Sequence, residues 1–317
     1  MRGRNLNWDE TRTRMKTVVF TASLVFALHL SVMAQQPASV SDKVTGILVR
    51  MESADRPTRK AAFGELLGVI SEANNASQIP DNHATLKNFI ARNPEQAEAV
   101  RLALIRMLTL ENAAVHSPRT SSTTITKENR EAGFRSENDV YPALIQEVAE
   151  LKDERAIPAL VGAVTTGGMA MRAVAEFGQK ALGPVLDLLN DASPLVRLSA
   201  LHTIRHMLGN GSLNDLPSQL RTKAALRESL KDKESVVRRS AIYAIEYLDD
   251  RQEFLPILRD LAETDPGKRP GQAGEGGEFY PVRVQAKELI RKIENHVPPV
   301  IDKGIEHRPA RAESTKP

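Results

Sequence analysis

The chain has 317 residues, of which 41% are hydrophobic, 26% are charged and only 4% are aromatic, and its formal net charge is +3. This composition is typical of a folded globular protein, and its aliphatic bias favours packing of helix on helix. Because there is no cysteine, the composition excludes disulfides, thiolate metal sites, a cysteine nucleophile and a lipidated cysteine.

The N-terminal segment is typical of an export signal. Basic residues from Arg12 to Lys16 precede an apolar stretch, and the small residue Ala34 closes a V-M-A cleavage motif. We therefore expect a signal peptide over 1–34, with Met15 as an alternative initiator, and a periplasmic or secreted product. An uncleaved N-terminal membrane anchor is the alternative.

Removal of the signal changes the charge balance. Residues 1–34 carry five of the 43 basic and two of the 40 acidic residues, so 38 of each remain in the mature chain. A neutral chain gives no global field that would attract nucleic acid or an anionic membrane. We expect neither a nucleic-acid partner nor stable membrane insertion after cleavage, and the sequence carries no cofactor motif.

Beyond the signal, apolar residues recur at helical spacing, and no sustained alternation of apolar and polar residues occurs. The sequence therefore predicts an all-α protein of short helices joined by short turns, the pattern of stacked helical hairpins. The predicted helices span 57–73, 94–113, 141–151, 154–165, 180–190, 194–208, 217–230, 235–249, 252–263 and 281–294.

Part of the sequence repeats itself. The segment D-A-S-P-L-V-R-L-S-A that begins at Asp191 recurs as D-K-E-S-V-V-R-R-S-A from Asp232, and a shorter form, P-V-R-V-Q-A, begins at Pro281. The arginine of the Val-Arg pair lies 41 and then 45 residues further along in successive copies. This spacing is typical of helical-repeat proteins.

These segments resemble the HEAT repeat family, in particular its bacterial HEAT-like branch related to phycobilisome lyases. The string L-K-D-E-R-A-I-P-A-L from Leu151 belongs to the same resemblance, which covers residues 140–294. It implies a right-handed superhelical solenoid of antiparallel helix pairs, with a repeat array over 140–295. The Val-Arg helices are then expected to line the concave side.

The resemblance also implies structural turn staples, in which an aspartate and an arginine hydrogen-bond to hold the turn and the neighbouring repeats. Asp191 with Arg197, and Asp232 with Arg238, match that pattern. Arg283 lacks the upstream aspartate, which puts its staple in doubt.

The regions outside the array have their own expectations. Residues 35–115 are predicted to form an N-terminal helical region of degenerate repeats, in which Arg59 occupies the Val-Arg position. Residues 116–139 are too polar to bury and are predicted to be a flexible linker. A glycine-rich insertion is predicted over 266–279, and a disordered tail over 296–317.

Alignment of the three Val-Arg helices places their outward side chains in columns that cross neighbouring helices. Tyrosine and arginine are frequent anchors of binding surfaces. Two alternatives stay open: an ion-pair ladder in the alternating-charge column, and partial burial of the tyrosines. The candidate binding residues on the concave face are Arg205, His206, Tyr243, Glu246, Tyr247, Glu288 and Arg291.

A histidine pair has the spacing of two zinc ligands. His202 and His206 lie four residues apart on one predicted helix, but no acidic third ligand lies nearby in sequence. We interpret them as polar residues on an exposed helix face and predict no metal site.

The sequence therefore favours a scaffold that binds a protein or peptide over an enzyme. One alternative is an enzyme or enzyme accessory like the lyase-related HEAT branch, which rests on the resemblance alone. A second is nucleic-acid binding through the basic run over 221–239, although Glu228, Asp232 and Glu234 interrupt its charge.

Overall fold

The protein is described by a computed structural model that covers residues 40–75, 86–115, 140–270 and 278–300. The described residues are about 78% helical with almost no strand, which confirms the all-α class. The predicted signal over 1–34 and the predicted linker over 116–139 lie outside the described residues. No helix within the described ranges is long and apolar enough to cross a membrane.

Thirteen α-helices and two short strands make up the regular structure of the described residues. The helices are α1 (Val40–Met51), α2 (Arg56–Asn75), α3 (Leu86–Arg92), α4 (Pro94–Val115), α5 (Tyr141–Glu150), α6 (Ile157–Gly162), α7 (Gly168–Ala175), α8 (Gln179–Asp187), α9 (Pro194–Gly209), α10 (Leu216–Ser229), α11 (Ser235–Ile245), α12 (Leu255–Thr264) and α13 (Pro281–Glu294). The strands are β1 (Arg269–Pro270) and β2 (Glu278–Phe279). Short 3-10 turns span Glu154–Ala156, Val164–Thr166, Leu188–Asn190 and Gln252–Phe254.

The chain divides into two compact units, residues 1–46 and Ile47–Pro317. Of the first unit, the structure describes residues 40–46, which form the beginning of α1. All the other described elements belong to the second unit.

Within the second unit, from α5 onward, each odd-numbered helix packs against the next odd-numbered helix. Helix α5 packs on α7, α7 on α9, α9 on α11, and α11 on α13. The intervening helices α6, α8 and α10 also contact one another in order, and α12 packs along α13. The three Val-Arg helices α9, α11 and α13 therefore lie side by side.

Small side chains allow this close approach. Ala200, Ala241 and Ala286 occupy equivalent positions of the three Val-Arg helices, and each is completely buried. Leucines and Phe254 complete the surrounding apolar core. Because no bulky group separates the backbones at these alanines, neighbouring helices can pack at the short end of the usual 8–10 Å spacing.

The helices before and after residues 116–139 are in direct contact. Helix α4 packs against both α5 and α6. The buried Tyr141 hydroxyl donates to the side-chain oxygen of Asn112, and the Asn112 amide donates to the carbonyl of Ala159 at 2.7 Å. Asn112 thus joins three helices through one side chain.

The predicted insertion over 266–279 has ordered flanks. Strands β1 and β2 pair in antiparallel fashion, with Arg269 opposite Phe279, and Lys268 forms an ion pair with Glu278 at 2.6 Å. The expectation of a wholly unstructured insertion is therefore wrong for these residues. Backbone pairing satisfies the polar groups of the two short strands, while 271–277 lie outside the described residues.

The predicted disordered tail over 296–317 includes residues that hydrogen-bond to the preceding helices and turns. Arg251, which is buried, donates hydrogen bonds to the carbonyls of Val297 and of Glu246, the latter at 2.9 Å. The Val297 amide donates in turn to the carbonyl of Lys292 at 2.9 Å. These backbone contacts hold the residues after α13 against the helices, and 301–317 lie outside the described residues.

Candidate binding face and the hydrogen bonds that support it

Arg197 connects two successive Val-Arg helices. Its Nη1 atom donates to the carbonyls of Asp191 and Ala192, at 2.8 and 3.1 Å, in the turn that precedes its own helix. Its Nε and Nη2 atoms form a fork on the carboxylate of Asp232, at 2.7 and 2.9 Å, in the turn before α11. One buried guanidinium therefore holds its own turn and the next one.

Arg238 makes the same contacts one helix further along. Its Nη1 donates to the carbonyls of Asp232 and Lys233 at 2.7 and 3.0 Å. Its Nε and Nη2 bind the carboxylate of Asp265 at 2.6 and 2.8 Å, and the Asp265 side chain is completely buried. The arrangement is bidentate and charge-assisted, the strongest common form of side-chain hydrogen bonding.

The expected hydrogen bonds of Arg197 with Asp191 and of Arg238 with Asp232 are present, but each is accepted by the backbone carbonyl of the aspartate and not by its carboxylate. Asp232 gives its backbone carbonyl to Arg238, whereas its carboxylate accepts from Arg197 and from the backbone N–H of Glu234 at 2.8 Å. That second bond fixes the side chain in an Asx turn that points away from the following helix. The carboxylate consequently faces the preceding arginine.

The environment of Asp232 favours its charged form. Burial alone would raise the pKa of this carboxyl, but the hydrogen bonds from Arg197 and from the Glu234 N–H outweigh burial and hold the pKa below its usual value. Both members of the pair therefore stay ionised near neutral pH.

Arg59 in α2 repeats the pattern. Its Nη1 donates to the carbonyls of Ser53 and Ala54 at 2.8 and 2.9 Å, and its Nη2 binds the buried Glu111 carboxylate at 2.7 Å. The two carbonyls lie six and five residues before the arginine, as they do at Arg197 and Arg238. The backbone contacts of Arg59 therefore match those of Arg197 and Arg238.

Arg283 departs from the pattern. Its Nε donates to the backbone carbonyl of Asp265 at 2.7 Å, and its guanidinium lies over the ring of Tyr280 at 4.1 Å. No carboxylate among the described residues forms an ion pair with it. The arginine of the final Val-Arg helix is therefore held by a single backbone contact and an aromatic ring.

On the side of the Val-Arg helices away from these contacts, equivalent positions remain at least partly exposed. They recur at spacings of three and four residues, which places them on one side of each helix. We call this surface the exposed face. Its residues are Met169 and Arg172 of α7, Leu195, Leu198, His202 and Arg205 of α9, Val236, Arg239 and Tyr243 of α11, and Val284 and Glu288 of α13.

Two of the predicted binding residues have other roles. Glu246 is only 9% exposed, and its carboxylate accepts from Lys292 at 2.5 Å. Arg291 pairs with Glu288 at 2.8 Å within its own helix and lines a groove of about 480 Å³ between α12 and α13. The alternative of an ion-pair ladder from Arg205 through Glu246 to Arg291 therefore does not form, because Glu246 pairs with Lys292 and Arg291 pairs with Glu288.

Tyr247 lies at the margin of the face. Helix α11 ends at Ile245 and not at 249 as predicted, so Tyr247 belongs to the turn that follows. It is half-buried and lines a cavity of about 170 Å³ beside Leu213 and Lys223. The alternative of partial burial describes both tyrosines, since Tyr243, which lies within α11, is half-buried as well.

The histidine pair lies in a positive environment. Burial, followed by the charges of Arg205 and His206, lowers the pKa of His202, so the imidazole is neutral near pH 7. Its Nε2 lies 3.5 Å from the Ser240 hydroxyl on the neighbouring helix. In the part of the chain that the structure describes, no cluster of three or more potential ligands is arranged to hold a metal ion.

The basic run over 221–239 is largely neutralised. Lys223 lies 3.2 Å from Asp250, Arg227 binds Glu253 at 2.7 Å, and Lys231 pairs with Glu228. Arg238 is buried on Asp265, as described above. Such pairing lowers the positive potential available to a phosphate backbone, so this run gives little support to nucleic-acid binding.

One unusual carboxyl was not predicted from the sequence. Glu147 of α5 is half-buried, and its Oε2 has no hydrogen-bond partner. Burial, with a smaller contribution from the nearby Glu150 charge, raises its pKa from 4.5 to about 7. The sequence offered no signal, because a glutamate on an amphipathic helix ordinarily faces solvent.

We expect Glu147→Gln to change how stability depends on pH. Since the folded protein keeps a proton on Glu147 that the unfolded chain loses, this group's contribution to stability falls as pH rises from 4.5 to about 7. The amide should therefore raise the free energy of unfolding at about pH 8 by roughly 1–2 kcal/mol, a value reduced for partial exposure, with little gain at about pH 4. Urea unfolding at both pH values checks this, and parallel curves for variant and wild type would contradict it.

Comparison of the chain with family models, with curated proteins and with solved structures found no match.

Proposed function

We propose that this chain is an exported helical-repeat protein of the HEAT type that binds a protein or peptide along its exposed face. The observation that carries the proposal is the alignment of equivalent residues on neighbouring helices. Arg197 and Arg238 make the same contacts in successive turns, so the outward positions of α9 and α11 recur in register. A solenoid of antiparallel helix pairs is the arrangement that such repetition favours.

The chemistry of the face supports a macromolecular partner. Leu195, Val284 and Met169 are 56%, 52% and 42% exposed, although each belongs to a well-packed helix. Apolar side chains that stay in water together on one face mark interaction surfaces. Tyr243 and Arg239 lie among them and belong to the residue types that dominate binding energy.

Site-specific photocrosslinking tests this function. A benzophenone side chain in place of Tyr243 is expected to form adducts with a restricted set of exported proteins. The same group in place of Arg221, on the intervening helix α10, is expected to form few adducts. Leu195→Asp should suppress the adducts at Tyr243, because it introduces a charge into the apolar part of the face. Equal adduct yields at both positions would contradict the proposal.

Export has its own test. The proposal expects cleavage after Ala34, so N-terminal sequencing of the exported product should begin at Gln35. The cleaved product should lack Trp8, the single tryptophan of the chain, and therefore lack indole fluorescence. An exported product that retains tryptophan fluorescence would contradict cleavage and favour the anchor.

A further inference from the structure

We propose that the exposed face selects an extended peptide rich in carboxylates, held by Arg172, Arg205 and Arg239. This inference rests on the proposed function and adds the chemistry of the partner. The three arginines belong to α7, α9 and α11, which are consecutive neighbours.

Each of the three guanidinium groups lacks a carboxylate partner. Among the described residues, no Asp or Glu lies within ion-pair distance of Arg172, Arg205 or Arg239. In contrast, Arg227 and Lys223 on α10 are paired with acids. The face therefore presents positive charge that the described part of the chain leaves uncompensated.

Three carboxylates on the helices of the face, or in the turns that follow them, are paired with other cations. Glu288 accepts from Arg291 at 2.8 Å, Glu246 accepts from Lys292 at 2.5 Å, and Glu176 is bound by Lys152. These carboxylates are thus engaged by other cations. The lowered pKa of His202, caused by burial and then by Arg205 and His206, is consistent with a positive potential at the centre of the face.

The spacing of the helices suits an extended peptide. Neighbouring packed helices lie about 8–10 Å apart, and a peptide in the extended polyproline II form rises about 3.1 Å per residue with about three residues per turn, so every third side chain faces the same way. Carboxylates roughly three residues apart would therefore reach arginines on adjacent helices, and about six to eight residues would cross the three helices.

The apolar residues favour a peptide over another polyanion. Leu195, Met169 and Val284 stand beside the arginines, and they offer neither a hydrogen bond to phosphate nor a flat ring on which a base could stack. They can bury leucine or valine side chains of a peptide. The expected ligand therefore carries acidic residues about three positions apart, with apolar residues between them.

Fluorescence anisotropy with defined peptides tests this inference on the purified full chain. The probe is a fluorescein-labelled peptide of about eight residues with glutamate at every third position and leucine at the positions between. Matched peptides carry glutamine or lysine in place of glutamate, and a single-stranded DNA of similar length serves as a different polyanion. We expect the glutamate peptide to bind most tightly, and its affinity to fall as salt is raised.

Variants identify the contact residues. Arg239→Gln and Arg205→Gln are each expected to raise Kd about tenfold, because each removes a charged hydrogen-bond donor. Arg239→Lys should retain part of the affinity, since the charge remains while the planar fork is lost. The matched control Arg221→Gln removes an arginine without a carboxylate partner from α10 and should change Kd by less than about twofold.

The outcomes separate this inference from the proposed function. One outcome is that the glutamine peptide binds as tightly as the glutamate peptide, that Tyr243→Ala weakens the binding of both peptides, and that Arg239→Gln has no effect. The carboxylate preference is then wrong, but the binding face is supported. If none of the peptides binds, the proposed ligand chemistry is wrong, and the photocrosslinking at Tyr243 decides the proposed function. Tighter binding of DNA, with a loss in Arg221→Gln, would overturn both in favour of nucleic-acid binding.

Discussion

Arg238→Ala is expected to lower the free energy of unfolding by about 3–5 kcal/mol. The substitution leaves the carboxylate of Asp265 without its cation inside the protein, where that side chain is completely buried. It also removes the donor from the carbonyls of Asp232 and Lys233. Urea unfolding followed by circular dichroism at 25 °C measures the loss.

The neighbouring residue supplies a matched control. Arg239 lies on the same helix and is half-buried, but no described acid pairs with it. Arg239→Ala should therefore cost less than about 1 kcal/mol. Arg238→Lys should fall between the two, because a lysine retains the charge but cannot bind two carbonyls and a carboxylate at once. If both alanine variants unfold at the same urea concentration, the buried pair contributes no more than an exposed arginine.

Gly178→Ala is expected to cost about 2–4 kcal/mol, from backbone strain and steric overlap together. Gly178 has a φ of +54°, and an added Cβ would lie 2.8 Å from the carbonyl oxygen of Ser212 and 3.1 Å from its Cβ. Ser212 cannot easily withdraw, because its hydroxyl donates to the carbonyl of Ala175 at 3.1 Å. The melting temperature should fall accordingly.

Gly211 separates the two causes. It also has a positive φ, +72°, but nothing lies within 4 Å of a Cβ built there. Gly211→Ala should therefore show the backbone penalty alone, about 1–2 kcal/mol. Equal losses at both glycines would mean that the turn around Ser212 moves aside without cost.

The sequence predicted long amphipathic helices better than short ones. Helix α13 occupies the predicted range 281–294, since Pro281 fixes its start and apolar residues recur through two and a half further turns. Helix α7 was missed, because Gly167 and Gly168 indicate a turn and only eight residues follow. Its buried residues Met171 and Val174 stabilise it through tertiary contacts that no local pattern reveals.

Some features of the candidate site were likewise predicted from the sequence, and others were not. The repeat pattern indicated that Arg197 and Arg238 hold turns, but it did not identify the carboxylates, because Asp232 and Asp265 act on the arginine of the preceding helix. Periodicity gave the outward side of α11, including Tyr243. It could not reveal that Glu246 is buried, because this burial depends on how the next helix packs against α11 and on the hydrogen bond from Lys292. Both arise only in the folded protein.

The shared aspartates link successive turns through a continuous series of hydrogen bonds, which we call the spine. Asp232 binds Arg197 through its carboxylate and Arg238 through its carbonyl, and Asp265 likewise binds Arg238 and then Arg283. A tensile load applied across the helices would pass from turn to turn along these bonds before any single helix unwinds. The spine has its weakest link at Arg283, where a single backbone bond replaces the fork. Under force, the chain should therefore peel from its α13 end, one helix at a time, and not rupture in the middle.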